Sequence, residues 1–310
     1  MIVQELSRKI NNDIHNRMFQ PNHFKEDFGD YEKCFTSLDL IEDCQDAIDE
    51  FIAIPETKIP NRSVLNIYGV LQATFCQQDG LFGLFQNISR EKFNSIGDFF
   101  SLFEFDSKNR EIRNDIVGHP STRIVNRKSE FYLIDKGPNT KYKFSYAGYS
   151  PEFTVKKVDL KKIIDEQNNL AINVLNKVAE MINEKVNEHK EKHKDESLYS
   201  IVSNLNYSIQ LIKRGYSDVN RSFQAEGSLK IVTSKITEVE EELKKRFKNS
   251  TPESVEYTLK NIYYILEKVQ KWYENNELLN NKDAEIFMIA FDKEFEELED
   301  MLKEIDEEYK

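Results

Sequence analysis

The chain has 310 residues, of which 39% are hydrophobic and 12% aromatic, and this composition excludes wholesale intrinsic disorder. A formal net charge of −12 argues against a protein that coats nucleic acid non-specifically. With only 10 Gly and 7 Pro, the composition favours helices over a fold that needs many tight turns.

The sequence gives no reason to expect a membrane anchor or export. No apolar run approaches the length of a membrane span, and the first residues lack the apolar segment of a signal peptide. Three widely spaced cysteines, Cys34, Cys44 and Cys76, form no CxxC pair. Free thiols in a reducing compartment fit this pattern better than disulfides or a zinc site. We therefore expect a cytoplasmic protein with no metal and no cofactor.

The first half of the sequence predicts a helical bundle, because apolar residues recur with the helical period and Pro or Gly follows several segments. Residues 62–88 should form the central helix, since apolar side chains cover most of its circumference. Residues 20–36 are expected to form a loop. The predicted helices of this half span residues 2–18, 37–54, 62–88 and 95–117.

Between about residues 129 and 158 the pattern changes from helix to strand. Aromatic and β-branched residues at 131–134 and 142–146 flank a Gly-Pro turn, and a third such run follows at 153–155. This pattern predicts a small β-hairpin or three-stranded meander inserted into the helical domain. Helical periodicity returns at residue 159.

Residues 187–197 contain no apolar residue and mark the predicted boundary between two domains. We expect a helical domain with a β insertion over residues 1–190 and a second helical bundle over residues 198–310. The fold class is therefore expected to be all-α, mainly helical, with a small β insertion. The predicted helices of the C-terminal bundle span residues 198–224, 228–248, 251–275 and 281–309.

One segment combines residue types that suit phosphate chemistry. Arg113 and Asn114 stand near the end of a predicted helix, and His119 follows directly after a glycine. Arginine presents a fixed fork of charged donors to phosphate oxygens, and histidine transfers protons near neutral pH. Residues 108–128 also carry six Lys or Arg against two Asp or Glu, so we expect anions to bind here.

The motif Arg113-Asn114-x4-His119 resembles the signature of HEPN domains, and the resemblance extends over roughly residues 37–185. It implies an all-helical domain that cleaves RNA without metal and acts as a dimer with the active site at the interface. By this resemblance Arg113 holds the scissile phosphate, Asn114 positions the reacting groups and His119 transfers the proton.

The chemistry of RNA agrees with these residue types. RNA carries its own nucleophile, the 2′-hydroxyl, so cleavage needs proton transfer and cationic donors for the charge that develops on the phosphate. On a regular helix, however, residues 113 and 119 point to different faces. A two-fold dimer, in which the two motifs face each other across one groove, would solve this problem.

Weaker candidates for substrate binding lie on the central helix and just after the motif. They would line the groove or follow the RNA backbone. Each also has a structural interpretation, as the polar side of a core helix or as a charged loop. His189 and His193 are spaced i,i+4 without a third ligand, which favours a solvated helix face over a metal site. The substrate-binding candidates are Gln78, Asp79, Arg123, Arg127 and Lys128.

The sequence thus predicts a homodimeric endoribonuclease of HEPN type, used as a toxin or as a phage-defence effector. One alternative is a HEPN-like module without catalysis that binds a nucleotide or a partner protein. Another is a purely structural helical protein, in which His119 only caps a helix. Residues 198–310 carry no nuclease motif and are expected to dimerise, to sense a trigger, or to dock an antitoxin or defence partner.

Overall fold

A computed structural model of the chain shows a mainly helical protein with one small antiparallel sheet, and this confirms the predicted fold class. None of the helices in the described ranges combines the length and apolarity that a membrane crossing requires. The structure describes residues 2–24, 28–56, 64–118, 123–125, 128–135, 140–150, 152–215, 222–248, 251–275 and 277–310.

The chain divides into two compact units. Unit 1 consists of Met1–Asn16 and Glu26–Glu184, and unit 2 consists of Arg17–Lys25 and Lys185–Lys310. The division after Glu184 lies just before the predicted boundary at 187–197. The short segment Arg17–Lys25 belongs to unit 2, although the residues before and after it in sequence belong to unit 1.

The helices of the described ranges follow the predicted order with a few changes. Their bounds, in chain order, are α1 (Ile2–Ile14), α2 (Gln20–His23), α3 (Phe28–Ala53), α4 (Val64–Ser89), α5 (Ile96–Leu102), α6 (Lys108–Arg113), α7 (Leu160–His193), α8 (Leu198–Val202), α9 (Asn206–Gly215), α10 (Ser222–Phe247), α11 (Glu253–Glu274) and α12 (Lys282–Glu308).

Unit 1 is built on the close packing of α3 and α4. A Cβ at Gly80 of α4 would lie 3.0 Å from the carbonyl oxygen of Ser37 in α3, so glycine permits this approach. Helix α3 also begins earlier than predicted: residues 28–36 are its first turns and not a loop. Cys34 in this stretch is fully buried, and this tertiary packing outweighs a polar and glycine-containing local sequence.

The predicted helix over residues 95–117 is interrupted. Helix α5 opens with a capping box, in which Ser95 and Asp98 each satisfy the other's backbone N–H. It ends before Glu104, whose φ of 51° is incompatible with a continuing right-handed helix. The chain then resumes as α6 and finishes in a π-helical turn over Asn114–Gly118.

The β insertion of unit 1 is an antiparallel sheet in the strand order β1-β2-β3-β4. The predicted meander corresponds to the last three strands, and a short first strand adds to it. One face, which carries Tyr132, Phe144, Tyr146 and Val158, is buried in the core of unit 1. The strands are β1 (Arg123–Val125), β2 (Lys128–Ile134), β3 (Lys143–Ser150) and β4 (Glu152–Asp159).

Unit 2 is a helical bundle, as predicted for the C-terminal part of the chain. The predicted helix over residues 198–224 is divided into α8 and α9. Met18, from the N-terminal segment of unit 2, joins the same core. The predicted apolar seam of α10 is buried at every position, namely Leu229, Val232, Ile236, Val239 and Leu243.

Gly215, at the end of α9, determines how closely α9 approaches α10. A Cβ at this position would lie 2.4 Å from the Cβ of Ala225, which cannot rotate away. We expect Gly215→Ala to lower the free energy of unfolding by about 1–3 kcal/mol through overpacking. Gly227→Ala on α10, where the added Cβ meets open space, should raise it by about 0.5–1 kcal/mol, since alanine favours the helix. Urea denaturation of both variants measures this difference, and changes of the same sign would contradict it.

Candidate functional site

The Arg-Asn pair of the motif lies where α6 gives way to the π-helical turn. Arg113 is the last residue of α6, and Asn114 is the first residue of the turn. Single π turns inside helices occur often at functional sites. A Cβ at Gly118 would lie 2.9 Å from Nη1 of Arg113, so the guanidinium group reaches to the end of the turn. Glycine at position 118 is what leaves room for it.

The contact between Arg113 and Gly118 bears on the prediction that residues 113 and 119 point to different faces of a regular helix. The guanidinium group of Arg113 lies against Gly118, the residue that directly precedes His119, and it does so within one chain. On a regular helix, residues 113 and 118 would point to different faces. No feature of the sequence indicates that a π turn replaces the regular helix here. His119 itself lies outside the described residues, as does Arg127.

Arg113 is half-buried and held by three neighbours. Its Nε donates a hydrogen bond to Oε1 of Gln72 at 2.9 Å, and its Nη1 donates to Oδ1 of Asn114 at 3.0 Å. Its guanidinium carbon lies 4.2 Å from the centre of the Phe75 ring. Gln72 is fixed in turn, because its Nε2 donates to Sγ of Cys76 at 2.9 Å. Asn114 thus orients the arginine within the described structure.

A second guanidinium group, that of Arg110, shares the same aromatic ring. Its central carbon lies 3.8 Å from the centre of the Phe75 ring. Its Nη1 donates to Oε1 of Gln78 at 3.3 Å and to Oδ1 of Asp79 at 2.9 Å. Arg110 and Arg113 are three residues apart on α6, so they occupy one helix face. Arg110 is one of the six Lys or Arg in residues 108–128 that are expected to bind anions, but the sequence gives it no individual role.

Gln78 belongs to a chain of buried side-chain amides that crosses unit 1. The Nε2 of Gln78 donates to Gln167 at 2.8 Å, and that of Gln167 donates to Gln77 at 2.9 Å. The Nε2 of Gln77 donates to Gln45 at 3.0 Å, and that of Gln45 donates to the carboxylate of Asp49 at 3.0 Å. All four glutamines are buried. We call this set, from Gln78 to Asp49, the glutamine chain.

The two ends of the glutamine chain determine its direction. An arginine only donates hydrogen bonds and an ionised carboxylate only accepts them, so every amide between Arg110 and Asp49 has one orientation. Gln78 therefore always presents its oxygen to Arg110. Of the two interpretations of Gln78, as lining of the substrate groove or as the polar side of a core helix, its burial agrees with the second: the side chain is fully buried, both of its ends are bonded, and it contacts Arg110. Asp79 is half-exposed and pairs with Arg110.

On its other side, the π turn is anchored to the sheet by the buried Asp115. Its Oδ2 accepts hydrogen bonds from the hydroxyl of Tyr146 at 2.9 Å and from Nζ of Lys156 at 3.1 Å. Burial, followed by the hydrogen bond to Asp115, raises the pKa of Tyr146 well above its usual range, so the phenol keeps its proton. The remaining candidates, Arg123 and Lys128, lie in the strands β1 and β2 that follow the motif.

The histidine pair of α7 does not lie on a solvated helix face, which corrects the interpretation from sequence. His193 is buried, with Nδ1 2.7 Å from Oε2 of Glu196, and Nε2 of His189 lies 3.0 Å from the hydroxyl of Tyr309. Throughout the described ranges, no group of three or more His, Cys, Asp or Glu side chains could hold a metal ion. The pair is part of the packing of unit 2.

His189 should make the stability of the protein depend on pH. Burial, followed by the neighbouring His193 and Lys192, lowers its pKa from 6.5 to about 4. Between these two values the unfolded chain takes up a proton that the folded chain does not, so stability falls as the pH falls. Since the side chain is only partly buried, we expect a loss of about 1 kcal/mol from pH 7 to pH 5. Urea denaturation at both pH values should show a smaller loss for His189→Asn, and an equal loss would contradict this assignment.

In chemical terms, the site offers two fixed guanidinium groups at a helix end, and His119 follows six residues after Arg113 in sequence. Guanidinium groups bind phosphate oxygens through charge-assisted hydrogen bonds and remain charged at every physiological pH. The arrangement therefore suits the binding of a phosphate ester. No family model, no curated protein and no solved structure matches the chain.

Proposed function

We propose that the protein is a cytoplasmic, metal-independent endoribonuclease of HEPN type that acts as a homodimer. One observation carries the proposal: Gln72, Asn114 and Phe75 fix the Arg113 guanidinium group against the residue that precedes His119. Interactions of this kind hold a cation in position before the substrate binds. Enzymes use such preorganised groups to stabilise charge that develops during a reaction.

In the proposed reaction the 2′-hydroxyl of RNA attacks the adjacent phosphorus, and the 5′-oxygen of the next nucleotide leaves. A 2′,3′-cyclic phosphate and a 5′-hydroxyl result. Arg113 binds the non-bridging phosphate oxygens and stabilises their charge, and Asn114 holds Arg113 in place. His119 transfers the proton, and a second copy of the motif across a dimer axis would provide a second histidine, so that one acts as base and the other as acid.

The separation of the chain into two units supports a division of roles. Unit 1 holds the Arg-Asn pair, the glutamine chain and the sheet, whereas unit 2 is a helical bundle with its own core. In the proposal, unit 2 docks an antitoxin or a defence partner, or senses a trigger, and the protein serves as a toxin or phage-defence effector.

The proposal is tested by incubating the purified protein with RNA in excess chelator. We expect the wild type to leave cyclic phosphate ends, and His119→Ala to lower the rate by about 10²–10⁴-fold. His15→Ala replaces an exposed histidine elsewhere in unit 1 and should keep full activity. An RNA with a 2′-deoxy nucleotide at the cleaved position should resist cleavage. A folded wild type that leaves RNA intact but binds a nucleotide would instead support the catalytically silent alternative.

A further inference from the structure

We propose that Arg110 and Arg113 together form a clamp for two consecutive phosphates of an RNA strand, and that the glutamine chain fixes Arg110 for this purpose. The inference rests on the proposed function, which assigns phosphate binding to Arg113 alone. It adds a second phosphate-binding residue and a buried support for it.

The charges of the clamp favour an anionic ligand. Both guanidinium carbons lie within 4.2 Å of the centre of one ring, that of Phe75, so two positive charges are held close together. Like charges at such separations repel, and partial burial strengthens the repulsion. Among the described residues, one carboxylate forms an ion pair with the clamp. It is that of Asp79, and its partner is Arg110. One positive charge therefore remains for an anion to neutralise.

The hydrogen bonds of the clamp leave donors for that anion. Arg110 makes both of its side-chain bonds to described residues through Nη1, whereas Arg113 uses Nε and Nη1. Nη2 of each arginine, and Nε of Arg110, have no partner among the described residues. Since a guanidinium group carries five N–H donors, each arginine can bind a phosphate without giving up its existing contacts.

The spacing and rigidity of the clamp suit a nucleic acid backbone. Residues three apart on a helix have Cβ atoms about 5–6 Å apart, a distance of the same order as that between neighbouring phosphates of one strand. Gln78 cannot turn its amide group around, because that would place its NH₂ against the guanidinium group of Arg110 and break the bond to Gln167. A cation that is already ordered loses less entropy when it binds.

The test measures binding of the full chain to a single-stranded RNA with 2′-O-methyl groups, which is not cleaved. The logarithm of the association constant falls linearly with the logarithm of the salt concentration. For a single strand, the slope is about 0.7 for each phosphate that the protein neutralises. We expect Arg110→Gln to reduce this slope by about 0.7, and the double variant with Arg113→Gln by about 1.4. Lys108→Gln removes an exposed cation of the same helix, which pairs with Asp106, and should leave the slope unchanged.

A second pair of variants covers the case in which Arg110→Gln does not fold. Asp79→Asn removes the negative charge that offsets the charge of Arg110 and that repels a phosphate bound to its free donors, so it should tighten RNA binding several-fold. Glu111→Gln changes the charge equally on an exposed position of α6 and should tighten binding less. Equal effects of these two variants would overturn the clamp.

The outcomes also separate the clamp from the proposed function. A wild type that cleaves unmodified RNA, together with an unchanged slope in Arg110→Gln, overturns the clamp and leaves the ribonuclease proposal standing. A wild type that neither binds nor cleaves RNA overturns both.

Discussion

Gly118→Ala is expected to lower RNA cleavage by about 100-fold and to leave the free energy of unfolding nearly unchanged. The added Cβ would lie 2.9 Å from Nη1 of Arg113, so the guanidinium group must move. The end of a long side chain moves at little cost in stability. Displacement of a catalytic group by about 1 Å can nevertheless reduce a rate by about 10²-fold.

Gly69 of α4 provides the matched control. It also lies on a helix of unit 1, and a Cβ added there meets open space, so Gly69→Ala should keep full activity. Cleavage rates and urea denaturation curves of both variants are needed, because a loss of activity that accompanied unfolding would have a different cause. Full activity of Gly118→Ala would show that cleavage does not depend on the placement of Arg113 against Gly118.

Gln167→Met is expected to lower the free energy of unfolding by about 2–5 kcal/mol. The substitution keeps the approximate length of the side chain but breaks the middle of the glutamine chain. It leaves the Nε2 group of Gln78 and the Oε1 atom of Gln77 buried without these partners. Each buried polar group that loses its partner costs about 1–3 kcal/mol.

Asn169→Met, on the exposed side of the same helix, is the control for Gln167→Met and should change stability by less than about 0.5 kcal/mol. Urea denaturation of the two variants gives the comparison. If both lost the same small amount, the glutamine chain would contribute little to the folded state.

The elements that are predicted best from sequence are amphipathic helices, because the spacing of their apolar residues shows which face is buried. The seam of α10 is buried as its three- and four-residue spacing indicates, since that spacing reports burial directly. The first turns of α3 escaped prediction because tertiary contacts stabilise them. The ring centres of Tyr31 and Phe35, for example, lie 4.7 Å apart. Both rings also contact the ring of His15, which directly follows α1.

The candidate site divides in the same way. Arg113 and Asn114 are adjacent in sequence, so a short motif is sufficient to find them. Gln78 and Gln167, by contrast, are 89 residues apart and meet only in the folded chain. Nothing in the local sequence distinguishes a glutamine that crosses a core from one that faces solvent. The π turn was equally hidden, because Gly118 and Pro120 mark the end of a helix without indicating that its last turn is π-helical.

The assignment of Arg17–Lys25 to unit 2 has a consequence for biosynthesis. Met18 and Phe19 are buried in that unit, and Arg17 pairs with Glu308, which is 291 residues away. The ribosome releases this segment early, yet its contacts form only after α12 has been made. Unit 2 therefore cannot complete its core before α12 has been synthesised, and a fragment that starts at residue 185 would expose core that the N-terminal segment normally covers.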